Sequence, residues 1–450
     1  MFVVLIIIWF CVFIAWYRIK PSYVLPPIYP GAVPLLGHVV RLPRDSIGIW
    51  EWEKKVHDFS LKSGGITTVF IGTQHFYFVS DPDVSLHIAN TCLNKTYLYN
   101  FAKEMYNYGL NTADESTWKP HRKLLNPAFN MQVLNSFLDV FNDQAQTLVN
   151  QLVVESGQDV IDLETYLTNH VLKTTCQTTL GLRSDEDCII VKNYVSATKK
   201  LFNLYLDRLM KFWLHLQFMF NINKFRPLLD RMLDLTDTQD AFTDDEIRDH
   251  VNTVIAAAYE TSAKSMLFTL ILVGSHKEVQ SRVFKELYEV FGNEDRNVSK
   301  MDLKKLVYLE AVIKESLRLY PPVPRVGRYN QTDVKLKNYT LAAGSTCVIS
   351  AHAINRHPMW GADADQFRPE RWLDPASLPD NPNAFASFSL GKRNCIGTLL
   401  FITSMMMMKI TLAHILRHYR VTSTSHDLKT RCDLIQSPAK GHRINIEIRE

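Results

Sequence analysis

Hydrophobic positions recur along most of this chain at the spacing of helices. Between about residues 82 and 322, most segments repeat apolar side chains every three to four positions, the periodicity of a helix with one buried face. Strand candidates are fewer: a hairpin pattern with a glycine-containing turn at 66–80, and short segments at 339–350 and at Arg443–Ile448. The pattern predicts a mainly α protein with small β-sheets.

The first twenty residues form a separate apolar segment. Residues 1–17 carry no charge, and Arg18 and Lys20 follow directly. The run is near the lower length limit for a bilayer-spanning helix, and its basic residues stand after it, unlike those of a cleavable signal peptide. Because positive charge stays on the cytosolic side, we predict an N-terminal membrane anchor at 1–20 with the rest of the chain in the cytosol. A buried core helix is the alternative.

Prolines and glycines interrupt the next segment, residues 21–40, so often that it cannot be a helix. We predict a stiff Pro-rich linker there. The composition beyond it is that of a globular protein, with 46% hydrophobic and 21% charged residues. The net charge of +4 is not gathered into a long basic run, which argues against nucleic acid as a partner. Seven cysteines without a CxxC pair fit a reducing compartment.

The strongest chemical signal is a loop around Cys395. The string Phe388-Ser-Leu-Gly-Lys-Arg393-Asn-Cys395-Ile-Gly397 precedes an apolar stretch, Thr398 to Leu412, that is predicted to be helical. Backbone N–H groups at a helix N-terminus stabilise a thiolate, and glycines let such a loop turn sharply beside a flat ring. A lone cysteine is more often a buried structural thiol, but the whole string resembles the haem-binding loop of the cytochromes P-450.

That resemblance implies a three-residue ion network before the loop. Glu315 and Arg318 stand three apart, so they share a helix face, and Arg371 in the string PERW is the expected third member. In the family this network is structural and locks the segment that leads into the haem loop. A solvated surface ion pair is the alternative for any such spacing.

The resemblance also implies a long helix over the distal face of the haem. Thr243 and Glu246 form a predicted capping box, and the helix should run to about Val273. Within it, Ala257-Ala-Tyr-Glu260-Thr261-Ser262 is similar to the family's oxygen-activation motif, with Ala258 in place of the usual glycine. Glu260 and Thr261 are the expected catalytic pair that relays protons. A mid-helix threonine that only bonds its own helix is the alternative.

Cationic side chains are expected for the haem propionates, because buried carboxylates need partners. Trp118 and Arg122 match the family's Trp-x-x-x-Arg, and Arg393 and Arg328 are further candidates. Arg325 is a rival for the position of Arg328.

As a whole, the chain resembles the family-four clan of microsomal cytochromes P-450 and its insect relatives. The strings Arg122-Lys-Leu-Leu-Asn-Pro-Ala-Phe129 and Asp244-Asp-Glu-Ile-Arg248 carry this lean. The resemblance implies one large haem-thiolate domain at 41–450 that binds haem b. Many members of that clan attach haem through a glutamate three residues before the motif acid. That position is Ala257 here, so non-covalent haem is expected apart from the Cys395–iron bond.

The implied activity is insertion of one oxygen atom from O₂ into an apolar substrate: a fatty acid, hydrocarbon, hormone-like lipid or xenobiotic. The implied electron donor is NADPH-cytochrome P-450 reductase, docking near Lys119, Lys123 and Lys392, and the resemblance allows cytochrome b5 as a second partner. The implied location is the endoplasmic reticulum membrane.

One departure from the family leaves two alternatives open. The chain is shorter than the family pattern between Trp118 and Thr261, and the missing stretch is expected around Leu228–Thr238. Helices that normally cover the substrate pocket are therefore expected to be truncated. The alternatives are a catalytically impaired lipid or odorant binder, and a haem-thiolate isomerase of lipid hydroperoxides that needs no reductase.

Overall fold

The computed structural model describes residues 10, 24–103, 107–126, 136–158, 161–180, 243–395, 398–424, 428–439 and 443–449. These residues form helices and small sheets, which confirms the predicted fold class. The helices are α1 (Ser46–Lys62), α2 (Pro82–Thr91), α3 (Glu115–Leu125), α4 (Leu138–Leu152), α5 (Leu163–Leu180), α6 (Asp244–Ser275), α7 (Lys277–Phe291), α8 (Lys300–Lys305), α9 (Val307–Leu319), α10 (Ala351–Ile354) and α11 (Thr398–His418). The strands are β1 (Ile66–Ile71), β2 (Gln74–Val79), β3 (Arg325–Tyr329), β4 (Val334–Lys335), β5 (Thr340–Leu341), β6 (Thr346–Ser350), β7 (Tyr419–Ser423), β8 (Thr430–Cys432), β9 (Gln436–Pro438) and β10 (Ile444–Ile448).

Several expectations fall on residues that the structure does not describe. The predicted anchor at 1–20 lies outside the described residues except for Phe10, and Leu228–Thr238 and Gly397 also lie outside them. Among the described residues, none of the helices is both long and apolar enough to span a bilayer.

The largest sheet has the strand order β1-β2-β6-β3. The predicted hairpin is present as the antiparallel pair β1 and β2, and β6 joins β2 in parallel and β3 antiparallel. The described part of the Pro-rich segment packs on this sheet. The backbone oxygen of Pro27 accepts a hydrogen bond from Thr68 N–H at 2.8 Å and another from the Thr67 hydroxyl at 2.7 Å. Prolines lack a donor, but their carbonyls still accept.

Helix α6 runs through the core of the helical part. The predicted capping box is present: Thr243 N–H donates to Glu246 Oε2 at 2.9 Å, and Glu246 N–H donates to Thr243 Oγ1 at 3.3 Å. The helix has 32 residues, so it is about 48 Å long at the usual rise per residue. Met266, Leu267 and Leu270 on it are fully buried in the main hydrophobic cluster, which α4, α5, α9 and α11 complete.

Helix α11 follows the Cys395 loop as predicted but continues to His418, six residues beyond the expected end. Its apolar residues Ile410, Leu412 and Ile415 are fully buried. Because the buried face continues past Leu412, packing sustains the helix where the local apolar run becomes mixed. Strand β7 starts directly after it and pairs with β10, the strand predicted at the C-terminus.

Candidate active site

The loop that carries Cys395 is a sequence of tight backbone turns. Cys395 N–H donates to the Phe388 oxygen at 3.0 Å, and Asn394 N–H donates to the Gly391 oxygen at 3.1 Å. Cys395 is exposed, three residues before α11 begins. Phe388 is half-buried against the main core cluster. The arrangement presents one thiol at the entrance to a long helix.

Gly391 has a different close neighbour from the one its motif suggests. Its φ is +72°, and a Cβ on it would stand 2.7 Å from the Cβ of Ala89 on α2. Both the left-handed backbone and this contact require glycine. The close approach at Gly391 is therefore to a helix of the protein, because the loop folds back onto α2.

Glu315, Arg318 and Arg371 form a fully buried ion network. Arg318 donates to both Glu315 oxygens at 2.9 and 2.8 Å, and Arg371 Nε donates to Oε1 at 2.9 Å. Trp372 Nε1 also donates to Glu315, at 2.9 Å. Burial alone raises the pKa of Glu315, but the hydrogen bonds from Arg318 and the charges of both arginines outweigh it and hold that pKa below its usual value. Glu315 is thus kept as a carboxylate.

Asn355 connects this network to the Cys395 loop, although no sequence motif marks it. Its amide donates to the backbone oxygen of Arg318 at 3.0 Å and to Ser387 Oγ at 2.8 Å. Its Oδ1 accepts from Ala386 N–H at 2.8 Å. Asn355 is fully buried. A single asparagine at the end of a short helix has no periodic or motif signal, so only its tertiary contacts identify it.

The motif residues of α6 share one side of the helix. Ala257 is exposed and Ala258 and Thr261 are half-buried, whereas Tyr259 points into the core. The Thr261 hydroxyl donates to the Ala257 oxygen at 2.6 Å, which is the back-bond expected of a mid-helix threonine. The neighbouring Glu260 has a buried Oε2.

Three cations lie close enough together to affect one another's pKa, and one of them, Arg393, belongs to the Cys395 loop. Arg328 is fully buried, and among the described residues only the Gly327 oxygen accepts from it, at 3.1 Å, while its Nε and Nη2 have no partner. Arg393 lies over the Trp118 ring at 4.8 Å and donates to the Leu93 oxygen at 2.7 Å. Lys95, which the motifs did not identify, is the third.

The electrostatics of these three cations call for an anion. Burial lowers the pKa of Arg328, and burial together with the charge of Arg328 lowers the pKa of Arg393 to about 10. Burial, Arg328 and Arg393 hold the pKa of Lys95 well below its usual value. Within the described part of the chain, none of the three forms an ion pair. Buried guanidinium N–H groups without acceptors suit a carboxylate ligand, so the residues present fit haem propionates.

Arg325, the rival candidate, faces the opposite side of β3. Its guanidinium lies 3.1 Å from Glu53 Oε2 and donates to Cys432 Sγ at 2.9 Å. Since side chains alternate along a strand, Arg325 points toward α1 while Arg328 points toward Arg393. Arg325 is therefore already paired and is not directed at the cation cluster.

Trp118 and Arg122 stand one turn apart on α3 but contact different groups. Trp118 is buried beneath Arg393, whereas Arg122 donates to the backbone oxygens of Asn394 and Cys395 at 3.1 and 3.2 Å. The two residues therefore contact different parts of the same loop: Trp118 contacts the Arg393 side chain, and Arg122 contacts the backbone that follows it. Three lysines around this helix and loop are exposed: Lys119, Lys123 and Lys392.

Comparisons with known proteins identify the family. The family described as Cytochrome P450 matches residues 26–235 and 221–444, and the chain belongs to it. Mouse cytochrome P450 4V2 is 30% identical over 79% of this chain and 77% of the relative. Human cytochrome P450 4V2 is 28% identical over 96% and 91%, and Drosophila melanogaster cytochrome P450 4c3 is 27% identical over 94% and 89%. The resemblance to family four and its insect members is confirmed.

Family membership fixes the class of chemistry. Members are haem monooxygenases that bind the iron through a cysteine thiolate, so this chain is an oxidoreductase of that class with haem as its cofactor. The alignment with the human relative spans 490 positions, more than the 450 residues of this chain, so the relative has residues without a counterpart here.

Proposed function

We propose that this protein is a membrane-anchored monooxygenase that holds haem b through the Cys395 thiolate and hydroxylates an apolar substrate. The observation that carries the proposal is the buried, unpaired guanidinium of Arg328 beside Arg393. A bound haem presents two carboxylates, and those would satisfy the donors that the described protein leaves without acceptors.

Each remaining site residue has a role in holding the cofactor. Arg393 and Arg328 bind the propionates, and Trp118 supports Arg393 from below. Arg122 fastens the backbone of Cys395 to α3. The network of Glu315, Arg318 and Arg371 keeps the segment before Phe388 in place through Asn355, and Phe388 packs beside the loop. Ala257 offers no carboxylate for an ester bond, so the haem is held non-covalently apart from the iron–sulfur bond.

When bound, the haem supplies O₂ activation at iron, to which a thiolate ligand donates electron density. The chain's own contribution on the distal side is proton handling. Glu260 takes protons from solvent, and Thr261 passes them on from its hydroxyl. Small side chains at Ala257 and Ala258 keep that side of α6 open. The pair of an acid, Glu260, and a hydroxyl, Thr261, favours a monooxygenase over a hydroperoxide isomerase, because the isomerase needs no proton supply for O₂.

The partners and location follow from the same proposal. NADPH-cytochrome P-450 reductase supplies electrons at the basic surface of Lys119, Lys123 and Lys392, with cytochrome b5 as an additional donor; acidic partners suit that surface. The anchor at 1–20 holds the chain in the endoplasmic reticulum membrane with residues 41–450 in the cytosol. The substrate is a fatty acid, hydrocarbon, hormone-like lipid or xenobiotic.

A second candidate, a catalytically impaired lipid binder, rests on the length of the chain. Its relatives have residues without a counterpart here, and the two family matches overlap at 221–235, next to the predicted truncation at Leu228–Thr238. A shortened pocket cover would lower turnover without removing haem.

The test is the spectrum of the reduced, CO-bound protein. We expect the Soret position that marks thiolate ligation, its loss together with haem in Cys395→Ala, and its retention in Cys176→Ala, which removes a buried core thiol. Oxidation of NADPH should then depend on the reductase. A wild-type chain that takes up no haem contradicts the proposal, and a thiolate spectrum without reductase-dependent turnover favours the binder or the hydroperoxide isomerase over the monooxygenase.

A further inference from the structure

Two histidines join α3 to the beginning of α6. His250 Nε2 on α6 lies 3.1 Å from His121 Nδ1 on α3, and the two rings stand edge to face with their centres 5.0 Å apart. His250 is buried, at 5% exposure. Losing a hydrogen bond at such a site is costly, because the partner left behind has little water to turn to. The pair is therefore a specific connection between two helices that lie far apart in the chain.

Glu246 orients the ring of His121. Its Oε2 belongs to the capping box of α6, and its Oε1 lies 3.5 Å from Nε2 of His121, the ring nitrogen that does not face His250. The hydrogen bond from Thr243 N–H lowers the pKa of Glu246, so its carboxylate favours a proton on that Nε2. Burial is the largest effect that lowers the pKa of His250, to about 4. At neutral pH one proton therefore lies between the two histidines, as a hydrogen bond requires.

His121 stands directly before Arg122 on the turn of α3 that contacts the Cys395 loop. Arg122 donates to the backbone oxygen of Cys395 at 3.2 Å, and Trp118, one turn earlier, lies under Arg393. Neighbouring positions of a helix point about 100° apart. A hydrogen bond that fixes the direction of His121 therefore also fixes the direction of Arg122.

The segment that leads into α3 is held by the same part of α6. Asp249, the residue before His250, accepts a hydrogen bond from Asn107 Nδ2 at 2.9 Å. Arg393 of the Cys395 loop donates to the backbone oxygen of Ala113, just before α3, at 2.8 Å. The first turns of α6 thus hold both α3 and the segment before it, and each of these also contacts the Cys395 loop.

We propose that His121 and His250 are positioning residues of the haem site. The hydrogen bond between them holds α3 in the rotation that keeps Arg122 on the backbone of the Cys395 loop. This inference rests on the proposed function, because it concerns the loop that carries the iron ligand. Both histidines act through Arg122. When their bond is lost, α3 turns more freely, Arg122 releases the loop more often, and haem leaves faster.

The test uses amide side chains that each match one ring nitrogen of histidine. Asparagine places its amide near the position of Nδ1, and glutamine places it near that of Nε2. Because the bond uses Nε2 of His250, His250→Gln should keep it and His250→Asn should lose it. The order is reversed on α3, where the bond uses Nδ1: His121→Asn should keep it and His121→Gln should lose it. A side chain that only fills space would show no such reversal.

The measurement is the rate of haem transfer to apomyoglobin from the full chain in detergent, counted for protein with the thiolate spectrum. We expect His250→Asn and His121→Gln to raise the rate several-fold, and the two matching variants to keep the wild-type rate. His170→Asn is the control. His170 is also 5% exposed but bonds the Gln144 backbone and the Thr411 hydroxyl, so its variant should keep the wild-type rate.

Arg122 separates positioning from a general loosening of the fold. In an Arg122→Leu background, His250→Asn should add little to the transfer rate, because the residue through which it acts is absent. Full additivity of the two changes overturns the inference, and so do equal rates in His250→Asn and His250→Gln or an equal rise in His170→Asn. A wild-type chain without the thiolate spectrum would instead contradict the proposed function.

Discussion

Arg122 Nη2 donates a hydrogen bond to the backbone oxygen of Cys395 at 3.2 Å, and Nη1 donates to that of Asn394 at 3.1 Å. The residue that the family motif relates to the haem propionates is thus fastened to the loop of the iron ligand. Burial lowers the pKa of Arg122, against the opposing effect of Cys395. Helix α3 and the loop are held together by a cation whose two N–H groups bond two consecutive carbonyls.

Replacing Arg122 should loosen the thiolate loop. In Arg122→Leu, two carbonyls lose a charged donor, and such hydrogen bonds contribute about 1.5–3 kcal/mol each in favourable cases. We expect haem to transfer to apomyoglobin at least about tenfold faster, since about 1.4 kcal/mol corresponds to that factor. Lys123→Leu removes the same charge from an exposed site on the same helix and should leave the transfer rate unchanged. Equal rates in the two variants would contradict this role.

Glu315→Gln should be strongly destabilising. The change leaves Arg318 and Arg371 fully buried with no neutralising carboxylate between them. Breaking a buried ion pair from one side costs about 3–5 kcal/mol, measurable as a lower free energy of unfolding in urea. Glu289→Gln, which breaks the exposed pair with Lys285, should cost about 0.5 kcal/mol or less. A loss in Glu315→Gln as small as that would show that the network is not needed for stability.

The two arginines of β3 should separate stability from haem binding. Arg328→Leu removes a buried guanidinium whose Nε and Nη2 have no acceptor among the described residues, so the haem-free protein should gain stability, by about 1–3 kcal/mol, while its affinity for haem falls. Arg325→Leu should instead lower the stability of the haem-free protein and leave its haem affinity unchanged, because it leaves Glu53 without its ion-pair partner on the far side of the strand. Urea unfolding of haem-free protein and haem titration check both. Loss of haem affinity only in Arg325→Leu would reverse the assignment.

Stability should fall as the solution becomes acidic. Burial lowers the pKa of His170 to about 4, and burial with the charge of Arg417 lowers the pKa of His414 to about 3, from an ordinary value of 6.5. Below pH 6.5 the unfolded chain binds protons that the folded chain does not. Each histidine therefore reduces the free energy of unfolding by up to about 1.4 kcal/mol per pH unit between pH 6.5 and pH 4.

Urea unfolding at a series of pH values measures this slope. His414→Asn should remove one histidine's share of it, in addition to any loss at neutral pH. A slope that is the same in wild type and His414→Asn would mean that His414 also binds a proton in the folded protein.

The extent of sequence-based prediction differs from residue to residue. Thr243 and Glu246 are three apart, and the capping box they predict is present, because its geometry is local. The pairing of Glu315 with Arg318 is predicted for the same reason, since a helix brings positions three apart together, and the structure contains it. In contrast, Arg325 and Arg328 were alternatives in sequence. The side of the sheet that each faces depends on how β3 pairs with β6.

The sequence by itself determined the family, the helical class, the Cys395 loop and the order of motifs along the chain, because these depend on periodicity and short-range spacing. Only the tertiary structure decided that Arg122 bonds the Cys395 loop, that Gly391 packs closely against Ala89, and that Asn355 and Lys95 belong near the site. Those contacts join segments far apart in the chain. They arise from packing of whole elements, which no local pattern encodes.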